Sequence, residues 1–212
     1  CELCTLAGWQ ALDRAQMATA WRYYEQAKAA ARESGDKSFE AHATAEQAFV
    51  LIDMGDTSNA VEQIVHARST ARRYAPRILM AWLSAACGEA YAADNRRGAA
   101  LRAFDEADVL LAYWLQETTC PYIALDAVHL ARWQGHVLAR LGETEAISLL
   151  NSALSHLDRT FTRAEVALRV DLAIAMSQTN MDQEACRQKE LASALAEAVG
   201  SQRQQRRLVA MV

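Results

Sequence analysis

The sequence contains little of what interrupts an α-helix. Its 212 residues include only 2 prolines and 8 glycines. Proline removes a helix hydrogen bond and glycine costs backbone entropy, so their scarcity favours helix throughout the chain. Apolar residues make up 52% of the chain, which is ample for a continuous core. The composition therefore predicts an all-α protein.

Several other absences exclude classes of function. No apolar run approaches the roughly 18 residues of a membrane span, and no charged-then-apolar signal segment opens the chain. A formal net charge of −4 argues against binding nucleic acid through a general phosphate field. Glycine-rich phosphate loops, nucleophile elbows and zinc-protease motifs are missing. We therefore expect a cytoplasmic protein that is not an enzyme and needs no cofactor.

The cysteines are few and scattered. There are five, an odd number, at positions 1, 4, 87, 120 and 186. Their placement in apolar helical patterns predicts reduced and mostly buried side chains. Cys1 and Cys4 have a spacing seen in metal sites, but there is no second pair. We predict no metal site.

One spacing recurs along the chain: an alanine, a large residue four positions later, and an alanine three positions after that. Copies begin at Ala20, Ala60, Ala100, Ala146 and Ala185, so they lie 40, 40, 46 and 39 residues apart. On a helix these positions share one side, where two small residues let a neighbouring helix approach and the large one fills the gap. A period in this range predicts a solenoid of helical hairpins.

Turn residues divide the predicted solenoid into hairpins. Thr162 and Glu165 match a capping box at the start of the fifth hairpin, and Pro121 is expected to restart a helix at the start of the fourth. We predict a single repeat array, with hairpins at about 1–35, 38–74, 76–116, 121–158 and 162–200 and a capping helix at 201–212.

The hairpins resemble tetratricopeptide repeats. Each predicted first helix carries a small residue, and each second helix carries the recurrent alanine spacing, although Lys189 is unusual at the large position. The small residues are Gly8, Ala48, Gly88, Gly135 and Ala173. The resemblance covers residues 2–200 and implies a right-handed α-solenoid of about five hairpins plus a C-terminal cap, with the first helices on its concave side.

A narrower resemblance is to the C-terminal half of actinobacterial Cro/repressor-type helix-turn-helix transcription regulators. It rests on four segments: Leu6-Ala-Gly-Trp-Gln-Ala-Leu-Asp13, Ala20-Trp-Arg-Tyr-Tyr24, Leu141-Gly-Glu-Thr-Glu-Ala146 and Gly200-Ser-Gln-Arg203. In that family a DNA-binding domain precedes a repeat array that senses a signal and dimerises. The resemblance implies a homodimer that contacts DNA only through an N-terminal domain missing from this sequence. A helical pattern already running at Cys1 agrees with a piece of a longer protein.

The first helices supply the candidate site, because stacked hairpins turn them towards the groove. Acids and aromatic residues occupy the first three repeats, with Glu46 near the edge, and Arg and His occupy the fourth. Such polarity suits an extended peptide or a zwitterionic ligand. Alternatively, the aromatic residues complete the core between repeats and the charges form a solvated face. The candidate residues are Trp9, Asp13, His42, Phe49, Asp53, Trp82, Glu89, His129, Arg132, Trp133, His136 and Arg140.

Two functions follow from the sequence. The first is a regulatory domain of a bacterial transcription regulator that binds a peptide or small-molecule signal on the concave face. The alternative is a constitutive protein–protein interaction scaffold without sensing. The sequence upstream of residue 1 would discriminate between them.

Overall fold

The computed structural model describes residues 1–112, 120–158 and 160–211. Within them the chain forms eleven α-helices and no strand, which confirms the all-α solenoid prediction. The helices are α1 (Glu2–Asp13), α2 (Met17–Ser34), α3 (Lys37–Met54), α4 (Thr57–Ala71), α5 (Arg77–Ala93), α6 (Arg97–Ala112), α7 (Ala127–Leu141), α8 (Glu145–Ser155), α9 (Thr162–Gln178), α10 (Asp182–Val199) and α11 (Gln202–Val209).

Three hairpins are closed by the small and large residues that the repeat spacing singled out. A Cβ atom added to Gly88 would lie 2.5 Å from the ring of Phe104, so only glycine lets α5 and α6 approach this closely. Tyr24, Phe104 and Leu150 are all buried. Glycine meets the large residue in three hairpins: Gly8 with Tyr24, Gly88 with Phe104, and Gly135 with Leu150.

The chain divides into two units. Unit 1 comprises Cys1–Leu12 and Gln16–Leu130, and unit 2 comprises Asp13–Ala15 and Ala131–Val212. In unit 1 the core runs through the hairpins of α1 to α6, and α3 contacts α5 as the first helices of successive hairpins do. In unit 2 the last helix packs Leu208 against a cluster that includes Val166 and Ala196. The short α11 thus covers apolar surface of α9 and α10, as expected for a cap.

The fourth hairpin begins later than the sequence predicted. Its first helix, α7, starts at Ala127 and not at Pro121. The carboxylate of Asp126 accepts a hydrogen bond of 2.7 Å from the backbone N–H of His129, which satisfies one of the unpaired donors of the first turn. Asp126 is the better cap, so the helix starts there. The predicted end of the third hairpin, at residue 116, lies outside the described residues.

The predicted capping box at Thr162 is wrong. Thr162 is already inside α9, and Phe161 is the residue before the helix. The Phe161 carbonyl accepts from the backbone N–H groups of Ala164 and Glu165. The Glu165 carboxylate faces Arg169 at 2.7 Å, one turn along the helix, and not the helix start. An intrahelical ion pair thus replaces the expected cap.

The cysteines are less buried than predicted. All five are free thiols; Cys87 and Cys120 are buried, Cys4 is half-buried, and Cys1 and Cys186 are exposed. Among the described residues no His, Cys, Asp and Glu side chains gather in threes in a way that could hold a metal ion. None of the described helices combines the length and apolarity that a membrane span requires.

Candidate functional site

The first helices of the second and third hairpins form one continuous wall in unit 1. His42, Glu46 and Phe49 are spaced four and three residues apart, so they lie along one side of α3. Trp82 of α5 packs against that side, with its ring centroid 4.7 Å from the His42 ring and 6.2 Å from the Phe49 ring. Phe39 begins the row, with its ring 5.7 Å from His42. We call these five residues the α3–α5 wall.

His42 is buried within the wall as a neutral ring. The residue is 3% exposed, and burial lowers its pKa to about 3. A neutral imidazole carries one donor and one acceptor nitrogen. Nδ1 has no hydrogen-bond partner among the described residues, and Nε2 lies 3.7 Å from the Glu46 carboxyl, too far for a hydrogen bond. The ring therefore makes aromatic contacts and leaves its polar capacity unused.

Glu46 is the second group of the wall whose polar capacity is unused. Its side chain is 18% exposed, yet its Oε2 atom is buried and finds no partner in the described part of the chain. Burial raises the pKa of this carboxyl to about 8, because the charged form loses its hydration without gaining a counter-charge. At neutral pH most molecules therefore carry a protonated Glu46.

A turn of the chain covers one end of the wall. The Ile123 N–H donates to the Cys120 carbonyl at 3.1 Å, and this turn presents Tyr122. The Tyr122 ring lies 4.8 Å from Phe39 and 5.2 Å from His42. Burial, and after it a hydrogen bond with Cys120, raise the pKa of the Tyr122 phenol. The turn thus buries the Phe39–His42 end of the wall, while Trp82 and Phe49 stay half-exposed.

Next to the wall, α3 is held against α2 by hydrogen bonds among Gln47, Lys28 and Glu25, which we call the Gln47 cluster. Gln47 is completely buried. Its Oε1 accepts from Lys28 Nζ at 2.6 Å, and its Nε2 donates to Glu25 at 2.8 Å. Lys28 also pairs with Glu25 at 2.7 Å. Every member of this cluster has a partner, which fixes the rotation of α3 and hence the direction of its wall residues.

Unit 2 contains a second pair of a histidine and an acid, in which the acid is buried and its hydrogen-bonding capacity is used. The Asp171 side chain is 4% exposed and lies 2.8 Å from His136 Nδ1 and 2.5 Å from Arg207 Nη2. Burial alone would raise the pKa of Asp171, but His136 and Arg207 outweigh it and hold that pKa well below its ordinary value. His136 was predicted as a groove residue; here its ring holds α7 to α9.

Asp13 also has a structural partner set. This last residue of α1 belongs to unit 2. Ser201 Oγ donates to its Oδ1 at 2.5 Å, and Arg163 pairs with its other oxygen. Ser201 also caps α11 by accepting from the backbone N–H of Gln204. Asp13 therefore anchors the start of the C-terminal helix.

The other predicted site residues lie at varied depths. Glu89 is buried, and Trp9, 40% exposed, is among the most accessible aromatic side chains of the described chain. His129 faces Asp126 at 2.8 Å, within the turn that begins α7. Arg140 is exposed, and the half-buried residues are Asp53, Arg132 and Trp133. The structure thus brings together His42, Phe49 and Trp82 in unit 1.

Sequence reasoning missed Asp171, Arg207 and Tyr122, and it placed Glu46 only at the edge of the groove. A signal existed for Asp171, since it is an acid between Val170 and Leu172 in an apolar run. Such an acid is buried only if it has partners. The partners themselves come from distant helices, which no local pattern reveals.

No protein-family model and no curated protein match the chain. A solved structure does. It is a point variant of a kinesin light chain-type protein of Podosopora anserina with nearly identical TPR-like repeats, with a TM-score of 0.54 and 16% identity over 92% of this chain and 94% of that one. The unsubstituted form of that protein matches with a TM-score of 0.52 at the same identity and coverage.

The fold is that of a tetratricopeptide-like repeat array. At this level of identity the likeness concerns the fold alone. The hairpins of this array agree with the tetratricopeptide resemblance seen in the sequence. The narrower resemblance to actinobacterial regulators stays a prediction.

Proposed function

We propose that the chain is a protein-interaction scaffold that holds a segment of a partner protein on the α3–α5 wall. The tetratricopeptide-like fold supports this proposal in general terms. The observation that carries it is specific to the wall. The half-exposed rings of Phe49 and Trp82 lie on the same wall as Glu46, whose Oε2 has no hydrogen-bond partner among the described residues.

This combination suits peptide binding. Aromatic side chains provide large contact area at little cost in conformational entropy. A few polar groups between them fix the orientation of the bound segment. Because the Gln47 cluster holds α3 in place, the wall is formed before the partner arrives, which lowers the entropic cost of binding. None of these features requires catalysis.

A random peptide library displayed on phage and selected on the full chain tests the proposal. Selected peptides are then measured by calorimetry against Trp82→Ala and against Trp21→Ala. Trp21 is a matched control, because it is also half-buried but lies on the second helix α2. We expect at least a tenfold loss of affinity for the first variant only. Selection of no peptide, or equal binding by both variants, would overturn the proposal.

The regulatory function and the homodimer remain predictions from the sequence. A signal-sensing domain would need a ligand that binds two shapes or oligomeric states unequally. The scaffold needs no such difference. Sedimentation of the chain with and without a selected peptide separates the two, because a sensor changes its shape or its association state, either of which alters the sedimentation coefficient, and a scaffold keeps both.

A further inference from the structure

Glu46 is a buried acid that the fold leaves without a counter-charge. Half-buried acids elsewhere in unit 1 have cations beside them: Glu40 pairs with Arg32 and Lys37. Glu106 pairs in the same way with Arg68. Within the described part of the chain, the group nearest to the Glu46 carboxyl in an ion-pair geometry is the neutral His42 ring, whose Nε2 lies 3.7 Å away. Leaving a carboxyl oxygen buried and unpaired is costly. A partner from outside the chain would remove that cost.

Trp82 contacts the residues on both sides of Glu46 along α3. The indole contacts His42, one turn before Glu46 on α3, and Phe49, one turn after it. Glu46 therefore lies on α3 between the two residues whose rings contact Trp82, and its side chain as a whole is 18% exposed. An aromatic ring and a carboxyl that lie near each other are together able to attract a cation.

Among the described residues, Glu46 forms no ion pair with a lysine or arginine of a neighbouring element. Two cations of α2 are used elsewhere: Arg32 pairs with Glu40, and Lys28 belongs to the Gln47 cluster. Arg68 of α4 pairs with Glu106 at 2.5 Å. On α5, the acid on the same side of the helix as Trp82 is Glu89, two turns further along. The titratable groups of the turn that covers the wall are Cys120 and Tyr122, and neither of them is a cation.

We propose that the Glu46 carboxyl and the Trp82 indole form a subsite for one cationic side chain, a lysine or arginine, of the bound partner segment. The inference rests on the proposed function, because it names the chemistry of the segment that the wall takes. The carboxylate provides the charge, the indole face provides the cation–π contact, and Phe49 packs along the alkyl stem.

Binding at this subsite releases a proton. The carboxyl of the free protein is protonated at neutral pH, since burial raises its pKa to about 8. The cation binds the ionised form, so the carboxyl proton leaves to solvent as the cation enters. Affinity therefore increases with pH up to about 8 and then levels off. His42 does not interfere, because its pKa of about 3 keeps it neutral across this range.

The probe is n-butylammonium, which reproduces the lysine side chain, with 1-butanol as the neutral counterpart. Both are added to the full chain, and the NMR signal of the Trp82 indole is followed. We expect a saturable shift with n-butylammonium only, with more than tenfold tighter binding at about pH 8.5 than at about pH 6.5. Calorimetry in buffers of different ionisation enthalpy should find close to one proton released per cation at neutral pH.

Glu46→Gln is the decisive variant, and Glu40→Gln, on the same helix, is its control. Glu46→Gln should lose the response and the proton release, while Glu40→Gln keeps both. An equal response to 1-butanol, binding that is independent of pH, or an unchanged response in Glu46→Gln would overturn the inference.

The two proposals fail separately. If library peptides need Trp82 but tolerate Glu46→Gln and replacement of their basic residues by norleucine, the wall binds partners and the cation subsite is wrong. If n-butylammonium binds as described but no peptide is selected, the subsite stands and the scaffold function is wrong.

Discussion

In unit 2 the Asp171 carboxylate accepts from His136 and Arg207 at 2.8 and 2.5 Å, whereas in unit 1 the Glu46 carboxyl lies 3.7 Å from His42 and leaves one oxygen without a partner among the described residues. Both acids are placed on first helices beside a histidine. Their pKa values shift in opposite directions, that of Asp171 downwards and that of Glu46 upwards.

The difference separates a structural acid from a candidate binding acid. A buried carboxylate with two cationic or donating partners has its hydration replaced by the protein and ties helices together. A buried carboxyl without partners stays neutral and is available to a cation that arrives from outside. An acid beside a histidine is thus charged in one unit and neutral in the other because of what the neighbouring helices contribute.

Removing the saturated acid should have the largest effect. Asp171→Ala leaves Arg207 and His136 facing an apolar site, and we expect a loss of about 3 kcal/mol in the free energy of unfolding at neutral pH. Urea denaturation followed by circular dichroism measures it. Glu190→Gln, an exposed acid of α10, is the control and should change stability little. A loss below about 1 kcal/mol would mean that the Asp171 network contributes no more than a surface ion pair.

The unpaired acid should make unit 1 less stable at alkaline pH. The raised pKa of Glu46 contributes stability that is complete below pH 4.5 and is lost as the pH rises to about 8. The lowered pKa of His42 contributes stability that is complete above pH 6.5 and is lost as the pH falls to about 3. Between pH 4.5 and 6.5, the ordinary pKa values of Glu46 and His42, the two effects cancel, so the free energy of unfolding should not change with pH. From pH 6.5 to 8 only the Glu46 effect remains, and the free energy of unfolding should fall by about 2 kcal/mol.

Hydrogen exchange read by mass spectrometry measures this fall in each unit separately. Glu46→Gln should abolish the alkaline loss in α3 and α5, while Glu40→Gln should keep it. Unit 2 should not share the loss, because the lowered pKa of Asp171 affects stability only on the acid side of its ordinary value of 3.8. An identical alkaline loss in the wild type and in Glu46→Gln would contradict the assignment to Glu46.

Arg207→Gln should have the smallest effect of these substitutions on the free energy of unfolding. It should leave Asp171 with a histidine but without an arginine, which makes its surroundings more like those of Glu46. Asp171 keeps His136 but loses its cation from α11, and since Arg207 is 25% exposed we expect a loss of about 1 kcal/mol. Arg206→Gln, an exposed neighbour on α11, is the matched control. Equal stability of the two variants would show that the cap helix adds nothing to the Asp171 site.

The sequence predicted most of the fold and little of the electrostatics of the site. The pairs Gly8–Tyr24 and Gly88–Phe104 were predictable because helical periodicity alone places small and large residues on facing helix sides. The start of α7 was missed because the cap at Asp126 outcompetes the proline signal at Pro121. The partners of Asp171 lie 35 and 36 residues away, so they depend on how hairpins stack. Whether Glu46 finds an ion-pair partner depends in the same way on which side chains the neighbouring helices place beside it.

The most direct test is a carbon-13 NMR titration of the side-chain carboxyl groups of Glu46 and Asp171 in the same protein, assigned with Glu46→Gln and Asp171→Asn. The account predicts that Glu46 titrates near pH 8 and Asp171 below its ordinary value of 3.8. Titration of Glu46 near its ordinary value of 4.5 would contradict the claim that unit 1 buries an acid without a partner.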